Sequence, residues 1–329
     1  MDTLIQGAGI TKRYGDFALD AFNITVEPDR VVGLIGSNGA GKTTLLKTLL
    51  GMTAPDTGTI RLLGADPHAH GALDTLKQRI GVVLDTCAFP VTMKVRDVET
   101  LGRAAYEKWD RAQFTELCTT FGLAPKKLVK DLSRGMGMKL SLAFALSHDP
   151  DLLILDEATA GLDPIARDEV LDIIRAFMLE EGRGVLMATH ITTDLEKIAD
   201  EVICIDDGAL AFALPKEAIC DEAGIAHCRT TELEAIKASD FAKDNQPANA
   251  KRANGQPAND AAHTPSAPAN AQAISSVPTS APLRYLSRGL GVDLLVPDRF
   301  AFARAFPTIP VDRATIEDYL TLTLKGEAL

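Results

Sequence analysis

VVGLIGSNGAGKTTLLKTLL, residues 31–50, decides the fold. The apolar run VVGLI (31–35) reads as a strand buried on both faces, and KTTLLKTLL (42–50) as a helix. Between them, glycines at 36, 39 and 41 let backbone N–H groups approach an anion with no side chain in the way. The N-terminus of the following helix adds partial positive charge behind them. Strand, glycine-rich turn and helix in this order make a phosphate-binding loop, because a chance turn has no need of both flanking elements. Gly36, Ser37, Asn38, Gly39, Ala40 and Gly41 form the cradle, and Thr44 continues the helix start. Lys42 can reach the β- and γ-phosphates of a nucleotide, and the Thr43 hydroxyl can ligate Mg²⁺.

Such a loop sets the ligand class and leaves the work open. LLILDEATAGLDP (152–164) narrows it: a buried strand ends in Asp156 and Glu157. Alone, two strand-end carboxylates would be solvated loop residues. Beside a phosphate-binding loop, Asp156 is placed to hold Mg²⁺ through its water shell and Glu157 to polarise an attacking water. IGVVL (80–84) and VLMAT (185–189) are further continuous apolar runs, and helical patterns alternate with them up to about residue 214. That alternation predicts a doubly wound α/β sheet. Alternating segments at 22–26 and 59–63 predict a small antiparallel layer near the N-terminus. In EVICIDDGALAFAL (201–214), Asp207-Gly208 between two apolar runs predicts a hairpin.

The chain has 329 residues, enough for more than one unit, and a formal net charge of −11. That balance argues against nucleic acid as a partner, since phosphate backbones select basic faces. Five scattered cysteines read as reduced thiols. Cys220, His227 and Cys228 lack a fourth ligand at zinc spacing. The opening MDTLIQGAGITKRYG has no secretory pattern, and no apolar run approaches the ~18 residues of a membrane span, so a soluble chain in the cytoplasm is expected. Residues 243–282 are dominated by Ala, Pro, Asn, Ser and Gln, with QPAN at 246–249 and again at 256–259, and read as a flexible linker. Structure is expected to resume with a strand at VDLLV (292–296) and a last helix begun by a capping box, Thr315 to Asp318. The expected division is 1–225 for the nucleotide domain, 226–242 as a connection, 243–282 as linker and 283–329 as a small C-terminal segment.

Residues 36–43, DLSRGMGMKL (131–140), LLILDE (152–157), AGLD (160–163) and ATHITTDLE (188–196) occur in this order, with Tyr14 ahead of them. Over its first two-thirds the chain thereby resembles the nucleotide-binding subunit of an ATP-binding cassette transporter. The resemblance implies an α/β P-loop NTPase domain with a mixed or parallel core sheet, an N-terminal antiparallel layer and a helical subdomain, followed here by a C-terminal extension. It implies ATP and Mg²⁺ as cofactors, and Lys42, Glu157 and His190 as catalytic residues. Tyr14 would stack on adenine, His190 would contact the γ-phosphate and the catalytic water, and Asp163 would couple two sites. Residues 132–136 would be the signature motif, with Ser133 and the Gly135 N–H facing ATP held by the other subunit of a dimer. Two departures stand out. Arg134 and Met136 replace a glycine and a glutamine of that motif, and Asp85 stands where most members carry a glutamine that meets Mg²⁺ and the membrane subunit. Similar substitutions mark bacterial export cassettes whose membrane subunit is a separate chain, and ATIEDYLTLTLKGE (314–327) resembles their ends. The implied function is an ATPase subunit, in a homo- or heterodimer around two Mg-ATP, driving export through an integral membrane permease on the inner face of the cell membrane. A soluble cassette protein and an importer subunit are the alternatives.

Overall fold

Two ten-residue strands, β1 (Ile5–Tyr14) and β2 (Phe17–Val26), pair antiparallel at the start of a computed structural model that describes residues 3–245, 283–289 and 291–329. The chain then forms β3 (Arg30–Ile35), α1 (Lys42–Leu49), β4 (Thr57–Leu62), α2 (Ala72–Leu76) and β5 (Ile80–Val83). Three helices follow: α3 (Val95–Ala105), α4 (Arg111–Thr120) and α5 (Arg134–Leu146). β6 (Leu152–Asp156), α6 (Pro164–Phe177), β7 (Gly184–Thr189), α7 (Thr192–Ile198), β8 (Glu201–Asp206) and β9 (Ala209–Pro215) complete the alternation. The described residues divide into two units, Met1–Ala213 and Leu214–Leu329.

In the first unit a six-stranded sheet runs β5-β6-β7-β3-β8-β9. Strands β5, β6, β7, β3 and β8 pair in parallel, and the four continuous apolar runs are four neighbouring strands, β5 at the edge and β6, β7 and β3 inside it. Their side chains are buried on both faces, which is why they do not alternate in sequence. The expected antiparallel layer is present as β2-β1-β4. Ile5, Ile10, Phe22 and Ile24 from that layer, Leu45 and Leu49 from α1, and Leu34, Ile154 and Leu186 from the large sheet belong to one apolar cluster. At the hairpin, Asp207 and Gly208 both take positive φ, 43° and 78°, the backbone that a two-residue connection needs. Because β6, β7 and β3 are neighbours, their carboxyl ends bring three loops to one edge, where ligands of open α/β sheets bind.

The second unit departs from the expected division. After β10 (Gly224–Cys228), helices α8 (Thr230–Ala238) and α9 (Asp240–Asp244) occupy the stretch taken as a connection, and α9 reaches into the expected linker. Residues 246–282, the rest of that linker, lie outside the described residues. Beyond them come β11 (Arg284–Arg288), β12 (Gly291–Val296), α10 (Arg299–Ala305), β13 (Val311–Arg313), α11 (Ile316–Lys325) and β14 (Glu327–Ala328). The strands form one antiparallel sheet in the order β13-β10-β12-β11-β14. Ala226 of β10 lies opposite Leu294 of β12, and Leu294 opposite Tyr285 of β11. Residues on the two sides of 246–282 thus share one sheet, and its β-α-β-β-α-β order is ferredoxin-like, closed by α11 and β14. Ala226, Leu233, Ile236, Val292, Leu294 and Phe302 belong to its core. The capping box forms as expected: the Asp318 N–H donates to Thr315 Oγ1 at 3.0 Å, and the Thr315 N–H to Asp318 Oδ2 at 3.2 Å. Among the described residues no helix is long and apolar enough to cross a membrane.

Candidate functional site

The loop between β3 and α1 owes its shape to backbone that only glycine adopts freely. Gly39 and Gly41 have φ of 86° and 114°, and a methyl at Gly36 would run into the Ile205 carbonyl oxygen. Gly41 is the N-cap of α1, so this helix start has no side-chain cap and leaves its N–H groups for an incoming anion. Lys42 is nearly buried, and its ammonium donates to the carbonyls of Gly36 at 2.7 Å and Ser37 at 3.1 Å. Burial holds this lysine below the usual range, against the opposing pull of Glu157 and Asp156. The Ala40 carbonyl accepts from the Gly208 N–H at 2.9 Å, which pins the loop to the β8–β9 hairpin.

Across from the loop, β6 ends in Asp156, which is 1% exposed. Its Oδ2 accepts from the Thr43 hydroxyl at 2.9 Å, while Oδ1 has no partner among the described residues. Burial pushes this carboxyl above the usual carboxylate range; the Thr43 hydrogen bond opposes that, and the charges of Asp85 and Glu157 add to it. Glu157 takes a left-handed φ of 54°, rare for a residue with a side chain, and its N–H donates to the Ala188 carbonyl of β7 at 2.9 Å. That twist turns the carboxylate toward the end of β7, where Oε2 lies 2.7 Å from Nδ1 of His190.

These parts surround a cavity of about 410 Å³. Asn38, Gly39, Gly41, Lys42, Thr43 and Thr44 line one side, Asp85, Asp156 and Glu157 another, and Tyr14 sits at the entrance, half-exposed. Gly36, Ser37 and Ala40 support the loop without lining it, and His190 joins through Glu157. Phe17 also lines the cavity, close to Gly41, and was not among the expected residues. An aromatic three residues after Tyr14 across a tight β-turn was its only sequence signal.

Ser133 and Gly135 lie elsewhere in this chain. The Ser133 hydroxyl caps α5 by accepting from the Met136 N–H at 3.2 Å. Gly135 leaves room for Leu162: a Cβ there would meet Leu162 Cδ2 at 2.6 Å. Gly137 does the same for Cys87, at 3.1 Å. Both glycines therefore admit neighbours from their own chain, the turn before Asp163 and the segment after Asp85. Asp163 caps α6, accepting from the N–H groups of Ala166 and Ile165, which hold its carboxyl below the usual range. The His227 ring is engaged by Asp293 and Asp312, at 2.8 and 3.3 Å, on the second unit's sheet.

A family model described as ABC transporter matches residues 19–160. The Nod factor export ATP-binding protein I of Ralstonia nicotianae is 37% identical over 232 residues, covering 67% of this chain and 70% of that protein. The bacitracin transport ATP-binding protein BcrA of Bacillus licheniformis is 33% identical, over 65% of this chain and 71% of its own length. The daunorubicin/doxorubicin resistance ATP-binding protein DrrA of Streptomyces peucetius is 36% identical, over 62% and 63%. Among solved structures, the ATP-binding subunit of an ABC transporter superposes with a TM-score of 0.60 at 24% identity, over 66% of this chain and 92% of that one. A dimeric ATP-binding cassette bound to ADP and Pi does so at 0.59 and 19%, over 64% and 98%. At these identities the structures establish likeness of fold.

Proposed function

The chain belongs to the ABC transporter family as an ATP-binding, ATP-hydrolysing subunit, and we propose that it powers export through a separate integral membrane subunit, working as a dimer with two Mg-ATP shared between cassettes. The observation that carries the hydrolytic part is the meeting, at one cavity, of the loop N–H groups, the Thr43–Asp156 pair and the Glu157–His190 pair. The loop and Lys42 bind the phosphates, Lys42 exchanging its two carbonyl partners for phosphate oxygens. Glu157 accepts a proton from the attacking water, and His190 fixes the orientation of that carboxylate. Tyr14 and Phe17 offer aromatic surface to the base and ribose.

The residues fit Mg²⁺. The buried Asp156 Oδ1 has no partner among the described residues, and the Thr43 hydroxyl and the Asp85 carboxylate add hard oxygen donors at the same cavity. Thr43, Asp156 and Asp85 would hold the ion, which would neutralise charge on the β- and γ-phosphates. Ser133 and Gly135 do not line their own chain's cavity, and this supports a role for them at the nucleotide of a second subunit. The names of the Nod factor, bacitracin and daunorubicin/doxorubicin relatives support export, with this chain on the cytoplasmic side of the membrane.

Glu157→Gln tests the reading. General-base assistance is worth ~10²- to 10⁴-fold, so turnover should fall by that factor while ATP binding persists. Sedimentation at saturating Mg-ATP should then find the variant as a long-lived dimer. A variant that keeps its turnover would remove Glu157 from the mechanism, and one that stays monomeric would remove the shared sites.

A further inference from the structure

Asp194 is wholly buried in the first turn of α7, four residues after His190, and nothing in the chemistry above uses it. Neither of its carboxylate oxygens has a hydrogen-bond partner among the described residues. Two groups face it without closing the contact. Arg167 Nε stands 3.8 Å from Oδ1 and is itself unsatisfied. The Thr159 hydroxyl, also wholly buried, is directed at the carboxylate and makes no hydrogen bond of ordinary length among the described residues. One turn along α7, Lys197 pairs with Asp168 at 2.5 Å, which fastens the outer side of the same helix pair. Buried polar groups are almost always bonded, so three unbonded ones aimed at each other need a reason.

The reason lies in which segments they belong to. Thr159 follows Glu157 by two residues in the turn that leads to Asp163. Arg167 is in the first turn of α6, and its N–H donates to the Asp163 carbonyl at 2.9 Å. Asp194 is carried by the helix that His190 precedes. Beyond the pairing of β6 with β7, side chains of the Glu157 and His190 segments therefore approach at two places: at the cavity, where Glu157 and His190 are bonded, and at Asp194, where the contact is drawn up short. Closing these contacts would hold the two segments to one another through buried side chains as well as at the cavity.

We propose that Asp194 is a positioning residue for hydrolysis: by engaging Thr159 and Arg167 it sets the His190 segment against the Glu157 segment, and through Arg167 ties both to the turn that carries Asp163. The proposal rests on the reading of Glu157 and His190 as the hydrolytic pair. Burial raises the Asp194 carboxyl above its usual range, opposed by Thr159, Arg167 and Lys197.

The experiment uses the full chain carrying Asp194→Asn, which keeps shape and hydrogen-bonding capacity and removes the charge. Misplacing a catalytic pair by a fraction of an ångström should lower kcat about tenfold. KM for ATP should hold, and the melting temperature without nucleotide should hold or rise, because a buried charge has gone. The ¹H and ¹⁵N signals of the His190 ring should shift. Thr159→Val, a smaller change, should lower kcat in the same direction, and the double variant should lose no more than the worse single one. A kcat within twofold of wild type, a joint fall of kcat and melting temperature, or additive losses would each overturn the proposal. Glu157→Gln run in parallel separates the two failures. If that variant keeps its turnover, the underlying reading fails; if it is inactive while Asp194→Asn matches wild type, only the role of Asp194 fails.

Discussion

In the unit Met1–Ala213, Lys42, Asp156 and Asp194 are each more than nine-tenths buried, and Thr159, Thr189 and His148 lie inside with them. In Leu214–Leu329 the core is apolar throughout, and the charged pairs lie on its outside: Arg288 with Asp293, Arg313 with Asp221, and His227 with two aspartates. Among the described residues, every wholly or nearly buried lysine, aspartate and histidine falls in the first unit. Burying a charge is costly unless it is paired and hydrogen-bonded, and the Oδ1 of Asp156 and both oxygens of Asp194 are not. The first unit accepts those costs at the cavity and at the junction of α6 with α7. The second leaves only the Arg284 Nε and the Thr323 hydroxyl buried without a partner among its described residues, and no buried carboxylate.

The largest effect that could break this contrast is in the second unit. Leu294 is wholly buried and lies between Ala226 and Tyr285 in adjacent strands. Leu294→Ala should cost about 2–5 kcal/mol, from lost burial and the cavity left behind. Calorimetry should show the transition of that unit moving down while ATP affinity and turnover stay as in wild type. If ATP affinity falls in step, the two units unfold as one and the contrast is false.

Legibility follows the same division. Strands β5, β6, β7 and β3 were readable because burial on both faces makes each run continuously apolar within four or five residues. The phosphate loop was readable because its glycines, Lys42 and Thr43 are consecutive. The second unit was not. β10 pairs with β12 across more than sixty positions (Cys228 opposite Val292), and short-range pattern carries no trace of such a pairing. A polar, proline-rich stretch between the partners made two pieces of one sheet look like a connection and a tail. Inside the first unit, Asp194 was equally invisible. An aspartate in the first turn of a helix reads as a solvated partner for the helix dipole, and only packing shows it buried.

A smaller effect sharpens the contrast by putting a sign on it. The folded Asp156 carboxyl titrates above its ordinary value of 3.8, and burial is the first cause. A carboxyl raised in the folded state binds more protons there than in the unfolded chain. Stability is therefore lost as pH rises from about that ordinary value through the raised one, and the loss persists at neutral pH. Asp156→Asn removes the charge. Without nucleotide or Mg²⁺ it should raise the melting temperature near neutral pH by ~2–4 °C, the equivalent of about 1 kcal/mol for a domain of this size. The gain should vanish below pH ~3.8, where wild type is itself neutral, and turnover should be lost at every pH. A lower melting temperature at pH 7 would show that the Thr43 and Lys42 contacts outweigh burial, and that the first unit stores no cost here.

The smallest effect concerns Asp85, the one carboxylate at the cavity that is exposed. It faces the same space as Asp156 and raises that carboxyl through its charge. Two readings follow. If Asp85 approaches the metal, its charge strengthens that contact and repels the γ-phosphate, so that Mg²⁺ is needed to bring the two together. If it only lines the groove for a helix of the membrane subunit, its charge matters to assembly and leaves metal use untouched. Asp85→Asn preserves shape and removes charge, which separates them. In the metal reading, the Mg²⁺ concentration for half-maximal ATPase activity of the assembled transporter should rise about two- to fivefold, the scale of an exposed charge worth under ~1 kcal/mol. Association with the membrane subunit should not change. Cys87, two residues on, packs against Gly137 of α5, so a docking helix that moved this segment would press on α5 directly. The opposite outcome, an unaltered Mg²⁺ titration with weaker co-purification of the membrane subunit, would take Asp85 out of the metal site. It would then be a docking residue beside α5, and the buried Asp156 and the Thr43 hydroxyl would be left to hold the ion without it.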